Sequence, residues 1–448
     1  MKKTRVKKIR LSPLGKIALI FVGIITVGCL LLKLPFAVKD GQTLSWIDAF
    51  FLSTSAVCVT GLTPVPNVGA ALSGFGEGVM ATLIQIGGLG FVTLAVFFMV
   101  ILGAKVNLTQ RNLVKESLNQ NTNQGMVRLV LKIVLITFSI EIVGMIINTF
   151  VFLQWYGIGD SIRYSIFHTI SSFNNAGFEI FGLNNGLVKF ADNIWFNITS
   201  SILIILGGLG YIVIYDIIKA KRWKKFAIHT KIVLKMTLIL LLVGTLLFKL
   251  GQFGDKSFSW LDAFFQSVTC RTAGFTTIDM STLTGFSIMI GIGLMFIGAA
   301  PCSTGGGIKV TSVYVIAKTI GSYSVGKKTI CYNRRISSET KLKAFILLII
   351  AILLIFFCTL LLLGIEEFND LSNLTFESAL FEVVSAFGTT GLSLGITPTL
   401  HWVSKIAICV MMFFGRVGAL TMFSLWNRNL NKVKDDSVTY LEEKIIVG

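Results

Sequence analysis

Residues Ser259 to Phe275 read Ser-Trp-Leu-Asp-Ala-Phe-Phe-Gln-Ser-Val-Thr-Cys-Arg-Thr-Ala-Gly-Phe. The run has the pattern of a short apolar helix that ends on a glycine turn. The same order recurs from Ser45 to Leu62, with Trp46, Asp48, Ala49, Phe50 and Phe51 ahead of Thr60-Gly61-Leu62. Two weaker copies lead from Ser165-Ile166-Phe167 to Asn175-Ala176-Gly177-Phe178 and from Ala379-Leu380-Phe381 to Thr389-Thr390-Gly391-Leu392. The copy ending at Gly274 is one residue shorter than the others. The copies are too widely spaced for a solenoid, so each belongs to a larger module.

Composition states where such modules reside. Of 448 residues 54% are hydrophobic and 14% charged, with mean hydropathy +0.79. A chain of this kind cannot keep its apolar surface from water as a soluble domain, and it reads as an integral membrane protein. The net charge of +18 would suit nucleic acid only with a soluble basic face and aromatic stacking platforms, and neither is present. The charge is better read as topology. Seven cysteines are scattered without a Cys-x-x-Cys pair, and the three histidines, His168, His229 and His401, form no motif, so neither a disulfide framework nor a zinc site is indicated. The basic start followed by an apolar run imitates a signal peptide, but the run continues to about Leu34 without a small-residue cleavage site and is taken as the first membrane helix.

In order, a basic N-terminus (1–13) precedes repeat 1 (14–103), a linker (104–125), repeat 2 (126–219), a basic linker (220–229), repeat 3 (230–320), a basic linker (321–341), repeat 4 (342–426) and a tail (427–448). Lys2, Lys3, Arg5, Lys7, Lys8 and Arg10 lie before the first span. Lys105, Arg111, Lys115, Arg128 and Lys132 follow repeat 1, and Lys219, Lys221, Arg222, Lys224 and Lys225 close repeat 2. The segments bearing the glycine turns hold Asp40, Asp48, Asp160, Asp192, Asp255, Asp279, Glu366 and Glu367 instead. By the positive-inside rule the basic connectors and both termini are cytoplasmic and the turns approach from the other side. The expected architecture is all-α: four repeats of membrane helix, pore helix and membrane helix around a central ion pore. Each short helix is too brief to cross, and irregular backbone at membrane depth is tolerated only where it is buried or lines a watery cavity.

Four turns around one axis would offer backbone carbonyls to a cation in place of water. Their residues are Val59, Thr60 and Gly61; Asn175, Ala176 and Gly177; Thr272, Ala273 and Gly274; and Thr389, Thr390 and Gly391, none formally charged. Selection would then rest on backbone oxygens, with Arg271 beside the third turn pointing away or paired with a carboxylate. In repeat 3 the second span is interrupted by Gly298, Ala299, Ala300, Pro301, Cys302, Ser303, Thr304, Gly305, Gly306, Gly307, Ile308 and Lys309. Proline and three glycines break a helix there. A plain loop between two full spans is disfavoured, because Val310 to Ile320 is too short to cross and an extra crossing would put Arg334 and Arg335 outside. The broken helix could carry a gate beneath the turns. Arg416, inside the last span, costs about 2.5–3.5 kcal/mol at a helix centre and should face the interior, either below the turns with the 298–309 loop or in an ion pair with Glu141 or Asp216. Gly87-Gly88-Leu89-Gly90 and Gly207-Gly208-Leu209-Gly210 lack the lysine and strand of a phosphate loop and read as sites of close helix approach.

These residues in combination resemble the superfamily of potassium transporters that includes Trk, Ktr and plant HKT proteins, over nearly the whole chain. Without extra leading helices, the chain is most similar to the Ktr membrane subunit type, KtrB. The resemblance implies potassium uptake, often sodium-dependent, a homodimer with one pore per protomer, and a cytosolic RCK ring of the KtrA type that binds ATP or ADP and controls the gate. It maps the family's filter glycines onto Gly61, Gly177, Gly274 and Gly391, its intramembrane loop onto Gly298 to Lys309 and its pore arginine onto Arg416. Sodium-selective members carry serine at the first glycine, so Gly61 points to potassium. No cofactor is expected on this chain; K+ is the transported ion, and the partners are the second copy, the ring and membrane lipids, without nucleic acid. A sodium-coupled secondary transporter is the alternative, although its repeats are typically inverted. An enzyme would need clustered acids or histidines within the spans, where only Glu141, Asp216 and Glu382 stand apart.

Overall fold

The computed structural model describes residues 13–118, 124–182, 186–255, 257–369 and 374–418. The basic N-terminal residues ahead of Pro13 and the tail at 427–448 lie outside them. Repeat 1 comprises α1 (Pro13–Leu32), α2 (Trp46–Cys58), α3 (Val68–Ala71), α4 (Gly74–Leu89) and α5 (Phe91–Ile101), followed by α6 (Leu108–Ser117). Repeat 2 comprises α7 (Met126–Phe152), α8 (Ile158–Phe173), α9 (Ile194–Leu209) and α10 (Tyr211–Ala220). Repeat 3 comprises α11 (Ile228–Gly251), α12 (Trp260–Thr269), α13 (Gly285–Phe296) and α14 (Val310–Tyr323), and repeat 4 comprises α15 (Ser338–Phe368), α16 (Phe376–Gly388) and α17 (Trp402–Val417). A two-residue hairpin, β1 (Ile330–Cys331) with β2 (Arg334–Arg335), interrupts the otherwise helical chain. Its turn residues Tyr332 and Asn333 both take positive φ, as a tight hairpin of this twist requires.

The long first helices α1, α7, α11 and α15 are long and apolar enough to cross a membrane. Helices α11 and α15 begin at Ile228 and Ser338, earlier than hydrophobicity alone suggests. For α15 the reason is the Ser337 side chain, which accepts the Thr340 N–H at 3.2 Å and so caps the start. The same device starts three of the four short helices, whereas α8 begins after Gly157 without a side-chain cap. Ser45 accepts from Asp48 N, Ser259 from Asp262 N and Thr375 from Ser378 N.

Each short helix packs on the first helix of its own repeat. Each second helix packs on the short helix of the next repeat: α4 on α8, α9 on α12, α13 on α16, and α17 back on α2. The repeats therefore close in chain order around one axis. Two ion pairs tie neighbouring repeats at this level. Lys405 on α17 meets Asp48 on α2 at 2.9 Å, and Arg163 on α8 meets the buried Glu77 on α4 through Nε at 2.7 Å and Nη2 at 2.5 Å. Removing one partner leaves a buried carboxylate unmet, so Arg163→Met should cost about 1–3 kcal/mol. Adding Glu77→Gln to that variant should recover part of the loss, and thermal unfolding in detergent reads both.

The second helices differ from expectation. Sequence hydropathy suggests single spans over about Gly78–Leu102 and Ile194–Ile218, but α4 and α5, like α9 and α10, meet at 96°. The bends fall at Gly90 (φ +79°) and Gly210 (φ +89°), conformations that a side chain strongly disfavours. Apolar composition cannot distinguish a straight span from one that bends sharply at a glycine.

Candidate functional site

Each short helix delivers the chain to the axis in the same way. Its last turn is followed by a residue with left-handed backbone, then one residue, then a glycine again at positive φ: Val59 and Gly61, Asn175 and Gly177, Thr272 and Gly274, Thr389 and Gly391. The intervening Thr60, Ala176, Ala273 and Thr390 are fully buried. Left-handed conformation at alternate residues turns successive carbonyls.

A hydroxyl behind each turn holds it. Ser55 Oγ accepts the Gly61 N–H and Ser385 Oγ the Gly391 N–H, both at 3.1 Å. Ser171 Oγ accepts the Phe178 N–H at 3.0 Å and donates to Phe178 O, and Thr269 Oγ1 donates to Phe275 O at 2.5 Å. These hydroxyls were legible as a Ser or Thr at nearly fixed distance before every glycine. The missing residue of the third copy is absorbed here. In the other three turns the N–H after the left-handed residue bonds five residues back (Thr60 to Ser55, Ala176 to Ser171, Thr390 to Ser385), whereas Ala273 N bonds four back, to Thr269 O.

The four turns form a closed ring. A Cβ on Gly61 would lie 2.6 Å from Ala176 O, and one on Gly177 would lie 2.6 Å from Ala273 O. A Cβ on Gly274 would strike Thr390 O, and one on Gly391 would strike Thr60 O. Each glycine thus packs against the backbone of the next turn, and only hydrogen fits between them.

Beneath the ring lies the Gly298–Lys309 loop, between α13 and α14. It meets the three turns whose left-handed residue has a polar side chain, bonded to Asn175 and Thr389 and packed on Thr272. The Asn175 amide sits between the hydroxyls of Thr304 (3.1 Å) and Thr272 (3.2 Å), and Gly306 N–H donates to Thr389 Oγ1 at 2.8 Å. A Cβ on Gly305 would overlap Thr272 and sit 2.7 Å from Ala299 Cβ. On its other side the loop meets the end of α9. Ala300 N–H donates to Gly208 O (3.1 Å), Thr304 N–H to Gly207 O (3.3 Å), and Tyr211 N–H to Cys302 O (2.9 Å). The loop thereby satisfies carbonyls that the break at Gly210 leaves without helical partners. Ser303 Oγ donates to Ala300 O, Cys302 Sγ to Leu118 O at the end of α6, and Lys309 Nζ to Gly305 O at 2.7 Å. Pro301 packs at the turn, its carbonyl against Gly210, and Gly307 takes positive φ against Gly298.

Arg416 serves the corresponding helix end in repeat 1. Its guanidinium donates to Gly87 O, to Gly88 O at 3.1 Å, and to Thr304 O of the loop. The suggested ion pair is not formed. Glu141 instead accepts from Gln85 Nε2 (3.0 Å) and Asn174 Nδ2 (3.2 Å), and Asp216 caps α11 through Ala227 N and Thr230 Oγ1. Arg271 has no carboxylate partner among the described residues either; it is buried, with Nη2 3.4 Å from Thr237 Oγ1. On the side of the turns, the N–H of Ser281, and with it the Ser281 hydroxyl, hold the Asp279 carboxyl below its usual range.

The internal register explains Arg416 and was overlooked in the sequence. At one fixed distance from the starts of α4, α9, α13 and α17 stand Gly87, Gly207, Gly298 and Gly415. A Cβ on Gly87, Gly207 or Gly415 would strike the carbonyl of Val57, Phe173 or Phe387 at the end of a short helix. The close approach expected of these glycines is therefore to the short helices. The next position holds Gly88, Gly208, Ala299 and Arg416, and Gly418 at the end of α17 repeats the positive φ of Gly90 and Gly210.

Four re-entrant repeats closed on one axis define a membrane transport protein built around a central passage. The chain belongs to the TrkH family of cation transport proteins, whose profile matches residues 25–430. It is 37% identical to the Ktr system potassium uptake protein B of Bacillus subtilis, covering 99% of this chain and 98% of that one. It is 36% identical to the potassium/sodium uptake protein NtpJ of Enterococcus hirae, covering 100% and 99%. The crystal structure of the potassium transporter TrkH from Vibrio parahaemolyticus superposes with a TM-score of 0.72 at 19% identity, over 95% of this chain and 86% of that one, and so shares the fold.

Proposed function

We propose that this chain is the ion-translocating subunit of a Ktr-type potassium uptake system. K+ sheds water against backbone carbonyls of the turns at Val59–Gly61, Asn175–Gly177, Thr272–Gly274 and Thr389–Gly391, because a ring of such oxygens can replace its hydration shell. The Gly298–Lys309 loop and Arg416 close the path below. A cytosolic RCK ring that binds ATP or ADP moves this loop, and two copies of the chain assemble in the plasma membrane with both termini cytoplasmic. The observation that carries the reading is the closed ring, in which each turn glycine abuts the backbone of the next turn. A ring closed in chain order also suits conduction better than the inverted repeats of a sodium-coupled carrier.

The test is uptake of potassium, rubidium and sodium by cells lacking their own potassium uptake and expressing the full chain. Potassium-selective uptake is expected. Gly61→Ser should narrow the preference for potassium over sodium by roughly tenfold or more, since displacing one carbonyl of the ring weakens dehydration of the larger ion. Equal selectivity in the variant would remove the ring from the account of selection.

A further inference from the structure

Two residues after the four turn glycines stand Thr63, Glu179, Thr276 and Ser393. The residue between is a buried apolar one in every repeat: Leu62, Phe178, Phe275 and Leu392. Extended backbone after the turn sends alternate side chains to opposite sides. In three repeats this returns the second side chain to the axis. Thr63, Glu179 and Thr276 line a cavity of about 190 Å3 that also reaches Gly61, Gly177, Gly274 and Gly391. Ser393 is withdrawn, donating to Glu382 Oε2 at 2.8 Å.

The polar atoms are set as acceptors. Thr63 Oγ1 donates its proton to Val65 O at 2.9 Å, and Thr276 Oγ1 donates to Ile278 O at 2.6 Å. Each hydroxyl keeps lone-pair capacity, although Thr276 Oγ1 already accepts the Ile278 N–H at 3.2 Å and has one site left. Glu179 Oε2 accepts the Leu187 N–H at 3.0 Å. No ion pair reaches Glu179 among the described residues, and it is the one formally charged residue lining the cavity. The oxygens are hard ligands and carry a single negative charge when Glu179 is ionised; burial pushes this carboxyl up to about 7, against the lowering by the Leu187 N–H. Divalent sites gather more carboxylates.

We propose that Glu179, Thr63 and Thr276 form an outer site for one monovalent cation, K+ or Na+, still holding part of its water shell, which is passed from there to the ring. This rests on the reading of the ring as an ion pathway. The carboxylate raises the local cation concentration at the mouth, so its removal acts on the apparent affinity of uptake rather than on the maximal rate.

The experiment is rubidium uptake kinetics with the full chain in cells lacking potassium uptake. Glu179→Gln keeps an oxygen for the Leu187 N–H and removes only the charge. It should raise KM roughly five- to tenfold with maximal rate within about twofold of the unaltered chain. Glu179→Asp should keep KM near the original. Raising external ionic strength with choline chloride should raise KM of the unaltered chain towards that of Glu179→Gln while leaving the variant nearly flat. An unchanged KM in Glu179→Gln, or a lower maximal rate at constant KM, overturns the site. If the glutamine variant fails to reach the membrane, the unaltered chain decides, and a KM indifferent to ionic strength overturns it. No uptake by the unaltered chain overturns the potassium-pathway reading and the outer site with it.

Discussion

Gly391→Ala abolishes potassium uptake, with an expected loss of about a hundredfold or more, while the protein still reaches the membrane. Gly391 holds φ at +90°, where a Cβ is strained in any surroundings. Here the surroundings are backbone. The new atom would strike Thr60 O and lie 2.8 Å from Gly61 Cα, so turn four or turn one must move. Neither can yield by a rotamer change, because Gly61 N–H is tied to Ser55 and Gly391 N–H to Ser385. Displacing Thr60 O removes one of the oxygens proposed to hold the ion. The control is Gly293→Ala on α13, where an added Cβ meets nothing within 4 Å; uptake there should be unaltered. Rubidium uptake normalised to membrane-inserted protein measures both, and near-normal uptake in Gly391→Ala would refute the ring as the narrow part of the path.

The second large effect is expected from Arg416→Ala, which should raise basal flux by roughly tenfold without the regulatory partner. The guanidinium joins two carbonyls at the end of α4, Gly87 O and Gly88 O, to Thr304 O of the loop. Alanine removes a positive charge from beneath the ring and one of the attachments that keep the loop there. It also leaves the α4 carbonyls without their donor, so a stability loss of about 1–3 kcal/mol accompanies the change. Arg416→Lys should restore little, since an ammonium lacks the planar fork that reaches several carbonyls at once. Deleting Gly305 to Gly307 should shift flux in the same direction, because it removes the segment bonded to Thr389 and packed on Thr272. Lower flux in both variants would mean that loop and arginine support conduction instead of restraining it.

Much of this was legible in the chain itself. The four copies of a short apolar helix ending in glycine, the segregation of basic connectors from the acid-bearing segments, and the break around Pro301 each follow from local composition. Their causes act within a few residues: an added Cβ at positive φ, a proline without an N–H, and a lysine held to one side of a bilayer. Even the shorter third copy was visible as spacing, and the structure accommodates it by closing the turn on Thr269.

Other features have causes remote in sequence. Gly87 and Gly207 read as helix-packing glycines, but what they pack against, the carbonyls of Val57 and Phe173, and the 96° bends after them depend on where the neighbouring short helix ends. Arg416 had two candidate carboxylates and takes neither, because the break in α4 leaves carbonyls within its reach while Glu141 and Asp216 are satisfied by Gln85, Asn174, Ala227 and Thr230. Glu179 is one acid among many until the fold sets it beside Thr63 and Thr276 over the ring. The sequence by itself determined the repeats, the separation of basic connectors from acid-bearing segments and the residues of each turn, since steric, solvation and charge preferences belong to single residues. Tertiary structure alone decided the closing of the ring, the bends and the partners of the buried charges, since a buried carbonyl or cation is satisfied by whatever distant atoms the packing brings to it.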